Sequence, residues 1–145
     1  MDPVQGLDAQ RVDGILGVVQ AGYEDLVEAR DKVAPDVPIF AHSYDFAIPD
    51  GRGVCDVGPW LKPGLDDRGW TSLAPASAVV AELLKKFAEL LDKLEGKFND
   101  FFHVRTQGTL TSGKWANELH PTPDGFAAIT AKFVTAVQSR FPGRI

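Results

Sequence analysis

AVVAELLKKFAELLDKLEGKFNDFFHVR, residues 78–105, decides how the rest of the chain is read. Val80, Leu83, Leu84, Phe87, Leu90, Leu91, Leu94 and Phe98 recur at i, i+3, i+4 spacing. Glu82, Lys85, Lys86, Glu89 and Lys93 fall opposite them. That pattern predicts an amphipathic helix over 78–98, with Gly96 suited to its C-cap region. Phe101-Phe102-His103-Val104-Arg105 follows at once as a strand candidate, so a helix hands over directly to a strand.

Working outward, residues 9–33 also carry helical periodicity. Ile15, Val18, Val19, Gly22, Leu26 and Val27 are placed on the apolar face, and Glu24, Asp25, Glu28 and Arg30 on the wet one. Pro35 stops this helix, and Val37-Pro38-Ile39-Phe40-Ala41 is the short apolar run of a strand buried on both faces. From Asp45 to Pro75, glycines and prolines alternate around Trp60 and Trp70. A connection of about 30 residues far exceeds the usual 4–6, and such loops are commonly functional or disordered; its tryptophans predict an ordered one. After the polar stretch 106–120, Thr122 is a good N-cap with Pro123 at the first helical position. Phe126, Ile129, Phe133 and Val137 then supply a buried stripe.

The order helix, strand, long loop, helix, strand, loop, helix predicts one α/β domain, residues 1–145, with parallel strands joined by a right-handed crossover. Two strands make a sheet too narrow to cover three helices, and both of its edges are open. A homo-oligomer, or a missing N-terminal half, is therefore expected to complete it.

Hydrophobic residues make up 44% of the chain, enough for a core, and the net charge of −5 argues against nucleic acid, which would demand a basic stripe. No apolar run approaches the roughly 18 residues of a membrane span. The acidic, polar stretch 1–10 does not read as a secretory signal, and Cys55 has no intrachain partner. A complete chain would on these grounds be cytoplasmic; for a fragment the compartment stays undetermined.

Chemistry concentrates in Trp115-Ala116-Asn117-Glu118-Leu119-His120-Pro121-Thr122. His120 falls between a strand and a helix, where parallel α/β folds place their sites. A histidine used in catalysis needs an acceptor that holds one ring nitrogen so that the other can work, and Asn117, three residues earlier, is placed to be that acceptor. No serine sits in Gly-x-Ser-x-Gly; Ser43, after a strand and beside His42, is the best-placed of those present. Asp45, Asp50, Asp56, Asp66 and Asp67 line the long loop, but without a His-x-x-x-His or a cysteine pair no metal site is expected.

Residues 115–126, Trp-Ala-Asn-Glu-Leu-His-Pro-Thr-Pro-Asp-Gly-Phe, resemble the last conserved block of the SGNH (GDSL-type) serine hydrolases, where Asp-x-x-His precedes a helix opening in Pro and Gly. His42-Ser43-Tyr44-Asp45, Pro49-Asp50-Gly51-Arg52-Gly53 and Gly58-Pro59-Trp60-Leu61 are similar to a bacterial branch of these enzymes. The likeness spans about residues 4 to 141.

The resemblance implies the C-terminal part of a flavodoxin-like three-layer α/β/α sandwich that hydrolyses small acyl esters, with His120 as general base. Asn117 or Glu118 would orient the histidine or supply its charge. Trp60, Trp115, His42 and Tyr44 are the expected substrate-binding residues. No cofactor is expected. The chain departs from the family in lacking the Gly-Asp-Ser and Gly-x-Asn-Asp blocks and in carrying Asn117 where an acid is usual. It is accordingly expected to be inactive alone. The competing expectation is a non-catalytic oligomeric module that binds a ligand or partner through the 45–75 loop.

Overall fold

The computed structural model of the chain describes residues 2–54 and 56–144, so Cys55 lies outside the described residues. Helix α1 spans Ala9–Val33, strand β1 Ile39–His42, helix α2 Lys62–Asp67 and helix α3 Leu73–Lys97. Strand β2 spans Phe101–Val104 and helix α4 Pro123–Arg140, with single 3₁₀ turns at Pro3–Gly6 and Ser112–Lys114. β1 and β2 pair in parallel, Ile39 opposite Phe101 and His42 opposite Val104. The chain is thus a mixed helix and strand fold with one two-stranded parallel sheet.

Local chemistry sets most element ends. The Asp8 carboxylate caps α1 by accepting from the Arg11 amide at 3.0 Å, and Thr122 caps α4 through the Gly125 amide at 3.2 Å. α3 begins at Leu73, five residues before the predicted start. Pro75 lies in its first turn, where a missing N–H costs nothing because that amide has no intrahelical acceptor. Gly96 sits inside the last turn; Phe98 is the C-cap residue. The long loop contains α2, a single short helix the sequence reading did not place.

The core lies where α1 and α3 cross one face of the sheet. Leu91, Leu94 and Phe101 are at most 1% exposed and gather Val27, Ala41 and Leu90 around them. Each such side chain contributes roughly 1.5–3 kcal/mol on burial. Tyr23 meets Phe101 edge to face at 5.6 Å between ring centroids. The opposite face is covered from the C-terminal side: Phe133 of α4 stands 5.7 Å from His42, and Phe141 packs on Phe40 and Phe102.

The apolar face of α1 differs from the predicted one. Val12, Leu16, Val19, Tyr23 and Val27 point inward, whereas Ile15, Val18 and Leu26 are exposed at 61%, 75% and 49%. Arg30, placed on the wet face by its charge, is buried. Its guanidinium donates to the carbonyls of Val37 at 2.7 Å and Asn99 at 2.9 Å and pairs with Asp31. One side chain thereby ties the end of α1 to the loops that enter both strands. α4 differs as well: its stripe of Phe126, Ile129, Phe133 and Val137 is not sealed, and Phe126 is 53% exposed.

The two edges of the sheet are unequal. Ile39 donates to the Asp100 carbonyl and Ser43 to that of Val104, so by alternation the Phe40 and His42 amides point away from β2. On the other edge, the outward amide of His103 is taken by the Glu95 carboxylate of α3 at 3.1 Å.

Candidate functional site

The stretch after β2 folds back on itself through an antiparallel bridge between Trp115 and Pro121, with Ala116 donating to the His120 carbonyl at 2.8 Å. Inside the loop so closed sits the buried side chain of Asn117. Its Oδ1 accepts the backbone amides of Leu119 and His120, each at 2.9 Å, and lies 3.0 Å from His120 Nδ1. Two backbone donors converge on that atom, so it is the carbonyl oxygen of the amide and an acceptor only. The proton of the neutral imidazole is therefore on Nδ1, and Nε2 keeps its lone pair. Such an arrangement lets the outer nitrogen take a proton. Gly125 makes the turn possible: a Cβ there would stand 2.5 Å from the Lys114 carbonyl and 2.7 Å from Pro121.

Glu118, next in the chain, goes the other way. It is completely buried, and its carboxylate accepts four backbone amides: Gly51 at 2.9 Å, Trp60 at 2.6 Å, Leu61 at 2.7 Å and Lys62 at 3.1 Å. The residue considered as a source of charge for His120 thus binds the long loop to the histidine turn. Four charge-assisted bonds offset the desolvation of an ion that would otherwise be costly to bury. The clamp brings Trp60 against His120, their rings edge to face with centroids 6.0 Å apart.

His120 lines a cleft of about 360 Å³ with His42, Tyr44 and Trp115. The far wall is Phe126, Ile129 and Phe133 of α4, the stripe that the sequence reading assigned to the core. Trp115 is buried and forms the floor, whereas Trp60 stands outside this cavity on the other side of His120. Of the seven expected site residues, four line the cleft (His42, Tyr44, Trp115 and His120), Trp60 touches His120 from outside it, Asn117 holds the His120 ring and Glu118 anchors the long loop.

Tyr44 is held in an unusual conformation. Its φ of 60° is in the left-handed region, which costs a non-glycine residue on the order of 1 kcal/mol. Its amide donates to His42 Nδ1 at 3.2 Å, its carbonyl accepts from Thr106 Oγ1 at 3.1 Å and its hydroxyl donates to the Leu119 carbonyl. Burial raises the Tyr44 pKa, which keeps the phenol protonated and donating. Burial, with a smaller contribution from His103, lowers the pKa of His42.

Ser43 is 1% exposed, and its hydroxyl accepts the Thr106 amide at 3.3 Å, so it lies under the strand ends and not in the cleft. Asp45 is also buried: its carboxylate accepts the amides of Phe46, Gly108 and Leu110 and shapes the 106–110 loop. His103 is buried against Asp92 at 2.7 Å. Among the described residues, no three His, Cys, Asp or Glu side chains stand together as a metal site would require. No family model, curated protein or solved structure matches the chain.

Proposed function

We propose that the chain is the histidine-bearing portion of an SGNH-type serine ester hydrolase domain, a flavodoxin-like α/β/α sandwich whose nucleophile is supplied from outside these 145 residues. The observation that supports the reading is the Asn117–His120 pair. A histidine held by Nδ1 presents an unprotonated Nε2 at the mouth of an apolar cleft, which is what a general base for a serine hydroxyl requires. The neutral Asn117 orients the ring and does not stabilise the imidazolium by charge, so the resting base is set up more fully than the protonated intermediate.

Supply of the missing part by a further segment or by a second polypeptide belongs to the same proposal, as does self-association. The unpaired edge of β1 and the exposed Ile15, Val18 and Leu26 of α1 favour it.

The chain by itself is expected to give at most trace turnover of short p-nitrophenyl esters, unchanged by Ser43→Ala. Joined to an upstream segment carrying Gly-Asp-Ser and Gly-x-Asn-Asp, if the coding sequence contains one in frame, it should hydrolyse them and lose that activity on His120→Ala. Robust turnover by the chain alone that Ser43→Ala abolishes would refute the reading, as would a joined protein indifferent to His120→Ala.

A further inference from the structure

The two histidines of the cleft are engaged in opposite senses. His120 Nδ1 faces an oxygen that can only accept, so its proton is on Nδ1 and its lone pair on Nε2. His42 Nδ1 instead accepts the Tyr44 amide at 3.2 Å, so in the neutral ring that nitrogen is bare and the proton is on Nε2. The Thr106 hydroxyl donates to the Tyr44 carbonyl at 3.1 Å and stands farther from Nδ1, at 3.4 Å, so the closer Tyr44 amide sets the tautomer. Burial acts in the same direction by disfavouring the doubly protonated ring. Among the described residues neither Nε2 has a protein partner within hydrogen-bond distance.

Apart from Thr130 the remaining wall is apolar. Tyr44, Trp115, Ile129 and Phe133 supply most of it, and no Lys, Arg, Asp or Glu side chain lines the cavity. A charged ligand would lose its water there and gain no counter-ion, whereas a hydrocarbon chain gains by leaving water. His42 Nε2–H is available to an oxygen inside, as is the Thr130 hydroxyl on the α4 wall, whereas Tyr44 already spends its hydroxyl on Leu119.

We propose that His42 is the ligand-orienting donor of this cleft, its Nε2–H holding the carbonyl oxygen of an uncharged acyl group whose hydrocarbon part lies against Trp115, Ile129 and Phe133. The choice of an acyl ligand rests on the hydrolase reading; the donor sense of His42 rests on its own hydrogen bonds. In a hydrolase this arrangement gives a division of labour, with His42 turned to the carbonyl oxygen and His120 to the nucleophile's proton. Acids, amines and phosphates would be selected against by the lack of charge.

Octanamide and octanoate, equal in chain length and different in charge, test this with the chain as it stands. Octanamide is expected to bind more tightly and to shift the His42 ring nitrogen resonances. His42→Phe, which keeps the aromatic contact with Phe133, should weaken it by about 2- to 12-fold, the range of a neutral hydrogen bond. His42→Gln restores an N–H donor and should recover part of the loss. Octanoate binding as well as octanamide, no saturable octanamide binding, or an unchanged affinity in His42→Phe would each overturn the proposal. If His42→Phe does not fold, the octanamide preference and the His42 resonances of the unaltered chain decide it. None of these readings needs turnover, so a joined protein that hydrolyses no ester counts against the hydrolase reading alone.

Discussion

Asn117 Oδ1 stands 3.0 Å from His120 Nδ1 while accepting the backbone amides of Leu119 and His120, so one buried oxygen both closes a turn and selects a tautomer. Structure and chemistry are therefore coupled at that atom. Asn117→Ala leaves two amides and a ring nitrogen without their acceptor, a loss on the order of 1–3 kcal/mol. For a chain of this size the melting temperature should fall by about 3–10 °C, measured by circular dichroism. Asn117→Asp keeps the acceptor, so it should preserve the melt. An Asn117→Asp melt lowered as far as that of Asn117→Ala would show that the acceptor oxygen is not what holds the turn.

The carboxylate of Glu118 gathers four amides from the long loop, the most distant that of Gly51, 67 residues earlier. Glu118→Ala strands those donors in the interior, and the expected result is selective opening of the loop before global unfolding. Hydrogen exchange at the amides of Gly51, Trp60, Leu61 and Lys62 should accelerate by at least tenfold, with proteolytic cleavage concentrated between residues 51 and 62. Exchange that stays slow at these four positions would mean the loop is held by other contacts.

His42 supplies a pH dependence whose sign follows from its environment. Its pKa in the folded chain is lowered from the ordinary 6.5 by burial and, to a smaller extent, by His103. The unfolded chain therefore binds the proton more readily, and the contribution of His42 to stability is complete above about pH 6.5 and is lost as the pH falls through the folded value. Urea melts from pH 7.5 down to 5 should show a decline that is shallower in His42→Phe. An NMR titration of His42 with its midpoint above 6.5 would contradict the assigned burial.

Association is expected through β1 and α1. The His103 amide on the outer edge of β2 is already bonded to Glu95, which leaves β1 as the edge able to accept a further strand. With Ile15, Val18 and Leu26 exposed nearby in sequence on α1, the chain should scatter light as a symmetric dimer at micromolar concentration. An obligate interface would bury above about 2,000 Å² in total, and Val18→Glu with Leu26→Glu should shift the species toward monomer. A wild-type monomer with a cooperative melt would show that the two-stranded sheet suffices alone.

The end of α1 was legible from Pro35, the start of α4 from Thr122 and Pro123, and both strands from short apolar runs. The Asn117–His120 bond was legible too. Each of these depends on residues within a few positions of one another, and local spacing is what a sequence displays directly. Which of two apolar stripes on α1 faces inward was decided by the position of α3 and the sheet. The burial of Arg30 was decided by carbonyls of Val37 and Asn99, the latter 69 residues away. Glu118 could be read as a source of charge for His120 only until the loop amides closed on it, and the Phe126–Phe133 stripe read as core until the turn at 115–121 left a cleft beside it. Hydrophobic spacing and charge reveal that a side chain needs a partner; only the folded chain, by bringing distant backbone groups within 3 Å, determines which partner it has.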